Sequence, residues 1–433
     1  MTADIHYLNL LEVSDLIRRR ALSARAVCET LIARIERLDG GLHAVTQVLT
    51  DSALAEADKA DREIAAGLWR GPLHGVPIGI KDLLDIGGTS SGCGGALFRD
   101  KLAPVDATAV RRLRQAGAVI IAKLHMTEGA TLSHHPDLPR PENPWKAGYW
   151  PGVSSSGSGV AVAAGFCYAA LGTDTGGSIR MPSTACGLSG LKPTWGRVSR
   201  HGLFPLAESF DHLGPMARTA ADAAAVLQAL AGVDALDPTT LPAPVPDYLA
   251  GLGGNISGLV IGVDRSLIEA EVDPPVSAAV NSALGVLQSL GARLQEIKLP
   301  DFALLSPQIT PLVIAEVAAA HAETYPAQAD HYGPGLRRML DAGLRRPAVD
   351  LARAVHARAA FCGRIRLAFE DVDLLVTPGA PQPTPTWAEV EAFGEDTVAL
   401  MARVARYTTP FNATGSPTLS LPCGLGPAGL PLG

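Results

Sequence analysis

The chain has 433 residues, long enough to bury a large core and to form more than one domain. Only 18% of the residues are charged and the formal net charge is −7, without a basic run, which argues against a nucleic-acid partner. The six cysteines have no C-x-x-C spacing, so they predict neither a zinc site nor a disulfide framework. The N-terminus lacks the pattern of a secretory signal, and the longest apolar run, 159–172, is too short to span a bilayer. We therefore expect a cytoplasmic protein without membrane contact.

The first part of the chain, residues 9–66, is predicted to be helical. Ser23 is in position to cap a helix, and Asp39-Gly40-Gly41 predicts its end. One face of this helix carries apolar residues at helical spacing, namely Val27, Leu31, Ile35 and Leu38.

A βαβ unit is predicted next. The apolar stretch 76–80 is typical of a buried strand, Thr108–Gln115 of a helix that Gly117 ends, and 118–122 of a second strand. Further along, Thr219 to Asp222 forms a capping box that opens a helix reaching about Leu230.

The second half of the chain begins with a connection rich in proline and alanine, 234–248. After it we predict a strand at 258–263, a helix at 276–290 and a second strand at 293–299. A helical region without a recognisable motif follows at 300–370, and a buried strand at 373–378. There is no internal repeat.

Two loops of small residues stand out, Ser154–Ser158 and Gly172–Ser178, on either side of an apolar segment that we expect to be buried. The adjacent glycines 176 and 177 let backbone N–H groups converge on a bound anion, and a helix starting just after Ser178 would add its positive end. A serine at the end of such a loop has its hydroxyl beside an oxyanion hole, as acyl transfer requires. The alternative, a flexible Gly/Ser linker, is disfavoured because apolar runs flank the loops.

Three ordered blocks resemble the amidase signature family of serine hydrolases: Gly75–Asp82 (G-V-P-I-G-I-K-D), Gly152–Ser158, and Gly172–Ser178. Further matches are Gly190–Thr194, Asp211–Met216, and Pro410–Asn412 ahead of Pro417–Pro422. The resemblance is close over residues 8–233 and looser over 370–433.

The resemblance implies the catalytic residues. Ser178 would be the nucleophile, Lys81 the base and Ser154 the bridging hydroxyl, which precedes the nucleophile by 24 residues as in the family. It also implies an oxyanion hole formed by the backbone N–H groups of Thr175, Gly176, Gly177 and Ser178. Supporting roles fall to Ser155, Asp174 and Arg180, the last two holding the loop as a buried pair; a substrate-carboxylate role for Arg180 is the alternative.

A lysine can act as a base only when it is neutral, and fewer than about one in a thousand exposed lysines is neutral at pH 7. Lys81 follows the predicted buried strand, and burial lowers a lysine pKa by as much as about 3–5 units. The alternative is a surface lysine paired with Asp82 at the strand end.

The sequence departs from the family at three positions. In the family the peptide bond before the bridging serine is cis and usually has glycine on its N-terminal side, where this chain has Val153. Ser156 stands where glycine is commonest. Met181 stands where the glutaminase subunits of the family usually have glutamine.

Other patterns in the chain carry less weight than these blocks. Ser189 to Lys192 is an S-x-x-K, but the S-D-N and K-T-G companions of the penicillin-binding signature are missing. Residues 157–162 lack the third glycine of a dinucleotide fingerprint. His134-His135, near His125, lacks metal-ligand spacing, so no metal is predicted. We expect the loop 126–136 to line the substrate entrance, with pocket residues Met126, Thr127, His134, His135, Phe411 and Asn412.

We therefore expect an α/β fold, a large, mixed, twisted sheet sandwiched between helices, in one amidase domain over residues 1–433. Its parts would be N-terminal helices (1–70), the signature core (71–233) and a variable helical region (300–370), with a C-terminal end that looks truncated. The predicted function is hydrolysis of a small-molecule carboxylic amide, such as an aryl or urea-derived amide, or of a hydrazide or ester. The reaction would use water, pass through an acyl-enzyme on Ser178 and need no cofactor. The alternatives are the glutaminase (A) subunit of a tRNA-dependent amidotransferase and a catalytically silent binding subunit. A homodimer is compatible with the sequence.

Overall fold

The computed structural model describes residues 4–394 and 397–433. Its α-helices in chain order are α1 Leu10–Arg18, α2 Ala24–Leu42, α3 Thr50–Ala65, α4 Thr108–Gln115, α5 Ser156–Ala163, α6 Arg180–Cys186, α7 Ala220–Leu230, α8 Arg265–Glu269, α9 Pro274–Ser289, α10 Leu305–Ala320, α11 Pro334–Leu344, α12 Ala348–Ala368, α13 Trp387–Glu391, α14 Thr397–Val404 and α15 Thr409–Ala413. Its strands are β1 Val45–Val48, β2 Pro77–Lys81, β3 Val119–Leu124, β4 Ala169–Asp174, β5 Ser189–Lys192, β6 His212–Ala217, β7 Val260–Val263, β8 Arg293–Glu296, β9 Leu374–Leu375, β10 Thr418–Ser420, β11 Gly424–Leu425 and β12 Pro431–Leu432.

The central sheet has seven strands in the order β1-β3-β2-β4-β6-β5-β10. β2 pairs in parallel with both β3 and β4, whereas the remaining pairs are antiparallel. α4 connects β2 to its parallel neighbour β3, which confirms the predicted βαβ unit. The predicted mixed sheet between helices is confirmed as well.

A second, smaller sheet has the order β8-β7-β9 and is parallel throughout. The strands expected at 258–263, 293–299 and 373–378 therefore do not extend the central sheet, because they pair only with each other within the described residues. The prediction of a buried strand at 373–378 is wrong: β9 has two residues, and Leu374 is 49% exposed. The region 300–370 is helical as predicted, through α10, α11 and α12.

The N-terminal region is less uniformly helical than predicted. Ser23 caps α2 by accepting a hydrogen bond from the Ala26 N–H. The helix continues through both glycines to Leu42, so its predicted end is too early. The Asp39 carboxylate then accepts hydrogen bonds from the N–H groups of Ala44 and Val45, which leads the chain into β1, a strand that the sequence did not indicate.

The segment between the two small-residue loops forms α5 and β4, which lie in the core as predicted, and α6 begins at Arg180, two residues after Ser178. β2 and β4 are adjacent and parallel, with Ile80 opposite Leu171. Parallel neighbours end at the same edge of a sheet. This pairing therefore places Lys81, the last residue of β2, beside the loop that follows β4.

One helical stretch of the described chain, Phe302–Ala320, is long and apolar enough to cross a membrane on length and composition alone. It contains α10, which packs against α11 and α12. Ile309 and Val317 are buried on it, and 33% of the stretch is buried in this fold.

Candidate active site

Lys81 lies at the end of β2 with none of its surface exposed. Its ammonium nitrogen Nζ donates to Ser154 Oγ at 2.7 Å and to Thr173 Oγ1 at 2.8 Å. Burial lowers the pKa of Lys81 to about 7, although the carboxylates of Asp174 and Asp211 oppose the shift. Nothing in the sequence pointed to Thr173 as a partner of this lysine.

The alternative interpretation of Lys81, as a surface lysine paired with Asp82, is wrong. Asp82 forms its ion pair with Lys123, whose Nζ lies 3.1 Å from Asp82 Oδ1. Both side chains of that pair are buried, and Lys123 also donates to Ser91 Oγ at 2.9 Å. Lys81 therefore has hydroxyl partners and no direct carboxylate partner among the described residues.

Ser154 is fully buried beside Lys81. The Val153–Ser154 peptide bond is cis, as the family resemblance implies, although valine replaces glycine there. The Ser154 carbonyl accepts a hydrogen bond from the Thr127 N–H at 3.2 Å. Thr127 thus lies behind the bridging serine, with no exposed surface.

The Ser154 loop and the Ser178 loop are in direct contact. The Ser155 N–H donates to the Ser178 carbonyl at 3.3 Å. The Ser155 hydroxyl lies 3.3 Å from both the backbone N–H and the carbonyl of Thr173. Ser155 therefore fixes the bridging serine to β4 and to the loop that carries Ser178.

The backbone N–H groups of the Gly-rich loop differ in whether they already have a hydrogen-bond acceptor. The Gly177 N–H donates to Asp174 Oδ1 at 2.8 Å, so it is already paired. The N–H groups of Thr175, Gly176 and Ser178 have no hydrogen-bond partner among the residues that the structure describes. These three, rather than all four predicted donors, are available to a bound group.

A buried cluster of Asp174, Arg180 and Asn412 stabilises this loop through hydrogen bonds. Arg180 Nε and Nη2 donate to the Asp174 carboxylate at 2.9 and 2.8 Å, and Nη2 also donates to Asn412 Oδ1 at 2.6 Å. Asn412 Nδ2 donates to the carbonyl and to Oδ1 of Asp174, both at 2.8 Å. Burial by itself would raise the pKa of Asp174, but the Arg180 guanidinium holds it well below its usual value. These bonds match the loop-holding role expected for Arg180.

A cavity of about 520 Å³ opens beside Ser178. Thr175, Gly176 and Ser178 form one side of it, and most of the rest is apolar. The apolar wall comes mainly from α10 and the turn preceding it, and from the segment before β6; it includes Leu206, Phe210, Phe302, Ile309, Val313 and Val317. Arg180 is not part of this lining, so its alternative role toward a substrate carboxylate has no support.

The six residues predicted to form the substrate pocket lie outside the lining of this cavity within the described chain. Met126 and Thr127 are fully buried. His134 Nε2 lies 3.1 Å from Ser156 Oγ, and burial lowers its pKa to about 3. The other three are placed as follows: His135 is buried in the same loop, Phe411 packs edge-on against the cavity residue Phe302 at 5.8 Å, and Asn412 belongs to the buried cluster.

The loop 126–136 does contribute to the lining, through Ala130, Thr131 and Leu132, but much of the apolar wall comes from the region 300–370, in which the sequence showed no motif. A pattern that could have pointed to them is the helical spacing of Ile309, Val313 and Val317. No group of three His, Cys, Asp or Glu side chains is placed to bind a metal within residues 4–394 and 397–433.

The mixed sheet and the buried lysine–serine cluster beside a Gly-rich serine loop are the features of a hydrolase with an α/β architecture. The model of the Amidase family matches residues 26–433, and the chain belongs to that family. It is a hydrolase of amide bonds.

Three known proteins illustrate the relationship. The putative amidase AmiD of Mycobacterium tuberculosis is 47% identical over 99% of this chain and 90% of its own length. A glutamyl-tRNA(Gln) amidotransferase subunit of Moorella thermoacetica is 38% identical, over 99% and 92%. The solved structure of the native peptide amidase from Stenotrophomonas maltophilia superposes with a TM-score of 0.82 at 30% identity, covering 99% of this chain and 92% of that one.

Proposed function

We propose that this amidase cleaves its substrate through an acyl-enzyme on Ser178. In the first half-reaction Ser154 takes the proton of the Ser178 hydroxyl and passes its own to neutral Lys81, while Ser178 Oγ attacks the amide carbon. The proton returns through Ser154 to the departing nitrogen as the C–N bond breaks. In the second half-reaction water loses a proton along the same route and its oxygen attacks the acyl carbon. The bond from that carbon to Ser178 Oγ then breaks, the acid is released, and the proton returns through Ser154 to Ser178 Oγ.

The state of Lys81 is the observation that carries this proposal. A base must be neutral, and a pKa of about 7 leaves roughly half of the Lys81 side chains neutral at pH 7. Its 2.7 Å hydrogen bond to Ser154 supports the part of the proton path that joins Ser154 to Lys81. Ser178, in the loop bonded to Ser155, is the serine of this group that lines the cavity.

The tetrahedral intermediates would place a negative charge on the former carbonyl oxygen. The unpaired N–H groups of Thr175, Gly176 and Ser178 are the proposed donors to it. Removing one such donor typically costs about 10²–10³ in kcat. The Gly177 N–H would serve the loop instead, through Asp174.

The composition of the cavity disfavours the glutaminase alternative. Free glutamine carries an ammonium and a carboxylate, and burying either one unpaired is costly. The charged lining residues in the described chain are Glu271, Arg403 and Arg406. Glu271 and Arg406 form an ion pair with each other, and Arg403 is exposed. The intact serines and lysine disfavour a catalytically silent role.

The test is intact-mass detection of a covalent adduct after treatment with a small fluorophosphonate. Wild type should gain one adduct, Ser178→Ala none, and Lys81→Ala should react far more slowly because the serine loses its base. The matched control is Ser306→Ala, which removes another serine from the same cavity and should label like wild type. Full labelling of Ser178→Ala would refute the nucleophile assignment.

A further inference from the structure

The wall of the cavity beside Ser178 is poor in free polar groups. The hydroxyls that it contains are largely engaged with backbone: Thr310 Oγ1 donates to the Ser306 carbonyl at 2.7 Å, and Thr409 Oγ1 to the Gly176 carbonyl at 3.3 Å. The surfaces between them belong to aliphatic and aromatic side chains such as Phe302 and Val313. A group entering this space would find apolar contacts and few hydrogen-bond partners.

The charged residues of the lining differ in exposure: the Arg406 side chain is 15% exposed, and its Nε has no hydrogen-bond partner among the described residues. The Glu271 side chain is 75% exposed and is paired with Arg406, and Arg403 is an exposed residue. The mostly buried charge, Arg406, is paired with Glu271. A cationic group in the cavity would lose its hydration and find the Glu271 carboxylate already paired, and an anionic group would have to compete with Glu271 for Arg406, which is unfavourable in both cases.

The two halves of an amide substrate place different demands on this space. In the proposed mechanism the acyl group stays bound to Ser178 through both half-reactions, whereas the amine must leave before water attacks. The apolar wall next to Ser178 suits the acyl half, which stays bound. A cavity of about 520 Å³ lies within the range of about 300–1,000 Å³ that holds drug-sized ligands.

We infer that the cavity selects substrates with a bulky, uncharged, apolar acyl group, such as a medium-chain alkanoyl or arylalkanoyl amide. This inference rests on the proposed acyl-enzyme at Ser178. Each buried methylene stabilises the bound state by about 0.8 kcal/mol, equivalent to about a fourfold gain in kcat/KM while the chain still fits. Val313, which lines the cavity from α10, is then a specificity-determining residue.

The experiment measures kcat/KM for a series of p-nitroanilides with acetyl, butyryl, hexanoyl and octanoyl groups. We expect a rise of about fourfold per methylene up to at least hexanoyl. A length-matched pair, heptanoyl and 6-aminohexanoyl anilide, isolates the charge, and we expect at least about a tenfold preference for the neutral member.

A variant that fills the cavity tests the location. Val313→Phe should reduce kcat/KM for the octanoyl anilide at least about tenfold more than it reduces kcat/KM for the acetyl anilide. Leu312→Phe is the matched control, because Leu312 lies next to Val313 on α10 and packs against the same core cluster but is not part of the cavity lining. It should keep the wild-type profile.

The outcomes separate the two proposals. An enzyme that labels on Ser178 but shows a flat or falling length profile, or prefers the charged member, refutes this inference and leaves the acyl-enzyme standing. An unchanged octanoyl rate in a folded, labelled Val313→Phe refutes the placement of the acyl group. Absence of both labelling and turnover refutes the acyl-enzyme and this inference with it.

Discussion

Lys81 and Ser154, 73 residues apart in the chain, are joined by a 2.7 Å hydrogen bond between two side chains that have no exposed surface. The carboxylates of Asp174 and Asp211 raise the pKa of the lysine only through space. Asp174 is committed to Arg180, and Asp211 accepts from Thr175. The pair therefore couples a lysine that is readily neutralised to a hydroxyl that can relay a proton.

This coupling predicts the pH dependence of the reaction. Protonated Lys81 cannot accept a proton, so kcat/KM should fall about tenfold per unit of pH below an apparent pKa of about 7 and level off above it. Initial rates on one anilide from about pH 5 to about pH 9 measure this. An activity that is independent of pH across the acidic half of this range would show that Lys81 is not the base.

The same pKa shift affects folding. The ordinary lysine pKa is 10.5 and that of folded Lys81 is about 7, so between these values the unfolded chain binds more protons than the folded one. Stability should then rise with pH, by about 2–3 kcal/mol from pH 7 to 9 for this group. Denaturant titrations of wild type and Lys81→Met at both pH values isolate the contribution, which should vanish in the variant. If the free energy of unfolding changed equally with pH in the two proteins, the lowered pKa of Lys81 would be contradicted.

Thr173 is proposed as a positioning residue for Lys81. Thr173→Val keeps the shape of the side chain but removes the oxygen that accepts from Nζ at 2.8 Å. That oxygen favours the ammonium form, so the acidic limb of the pH profile should move to lower pH, and kcat should fall because the lysine is less well oriented. Thr173→Ser should restore both the wild-type kcat and the wild-type position of the acidic limb. A lower kcat with an unchanged acidic limb of the pH profile would indicate that Thr173 has a purely structural role.

Much of the fold could be predicted because local patterns control it. Helix α4 and strand β3 follow from Gly117 and the apolar run after it, and the burial of Lys81 follows from the apolar strand ahead of it. The separate small sheet could not be predicted, since period-2 patterns identify strands but not their partners. The sequence does not indicate β1, because this strand has only four residues and lies between two strong helices.

The site was predictable where the chain itself brings residues together. Ser155, Asp174 and Ser178 share two loops around one buried segment, so their proximity is encoded locally. The cavity wall is different: Leu206, Phe302 and Val317 meet only through tertiary packing, and no motif marks them. For the same reason the sequence places Asn412 in the pocket, whereas in the structure it accepts a hydrogen bond from the buried Arg180.

Disruption of that buried cluster should cost more stability than disruption of a surface ion pair. Arg180→Met leaves Asp174 as a buried, uncompensated charge, so the free energy of unfolding should fall by about 3–5 kcal/mol. The control Arg353→Ala removes an exposed partner of Asp350 and should change it by less than about 1 kcal/mol. Chemical denaturation measures both. Similar losses in the two variants would argue against a supporting role for Arg180.

The adjacent glycines of the Ser178 loop offer the sharpest comparison. Gly177 has φ +135°, and a Cβ there would overlap Thr408 Oγ1, so Gly177→Ala must distort the loop. Gly176 has no such backbone constraint, and a Cβ there would lie 3.4 Å from Met401 Cε, an ordinary contact. If the Thr175, Gly176 and Ser178 N–H groups form the oxyanion hole, Gly177→Ala should lower kcat about 10²–10³-fold, as loss of a donor does.

Gly176→Ala should stay within about tenfold of the wild-type kcat, because its N–H remains in place and the loop keeps its shape. Both variants are measured by kcat on one anilide, with circular dichroism to establish that they fold. Equal activities in the two folded variants would show that this loop does not stabilise the oxyanion, since only one of the two substitutions moves the donors.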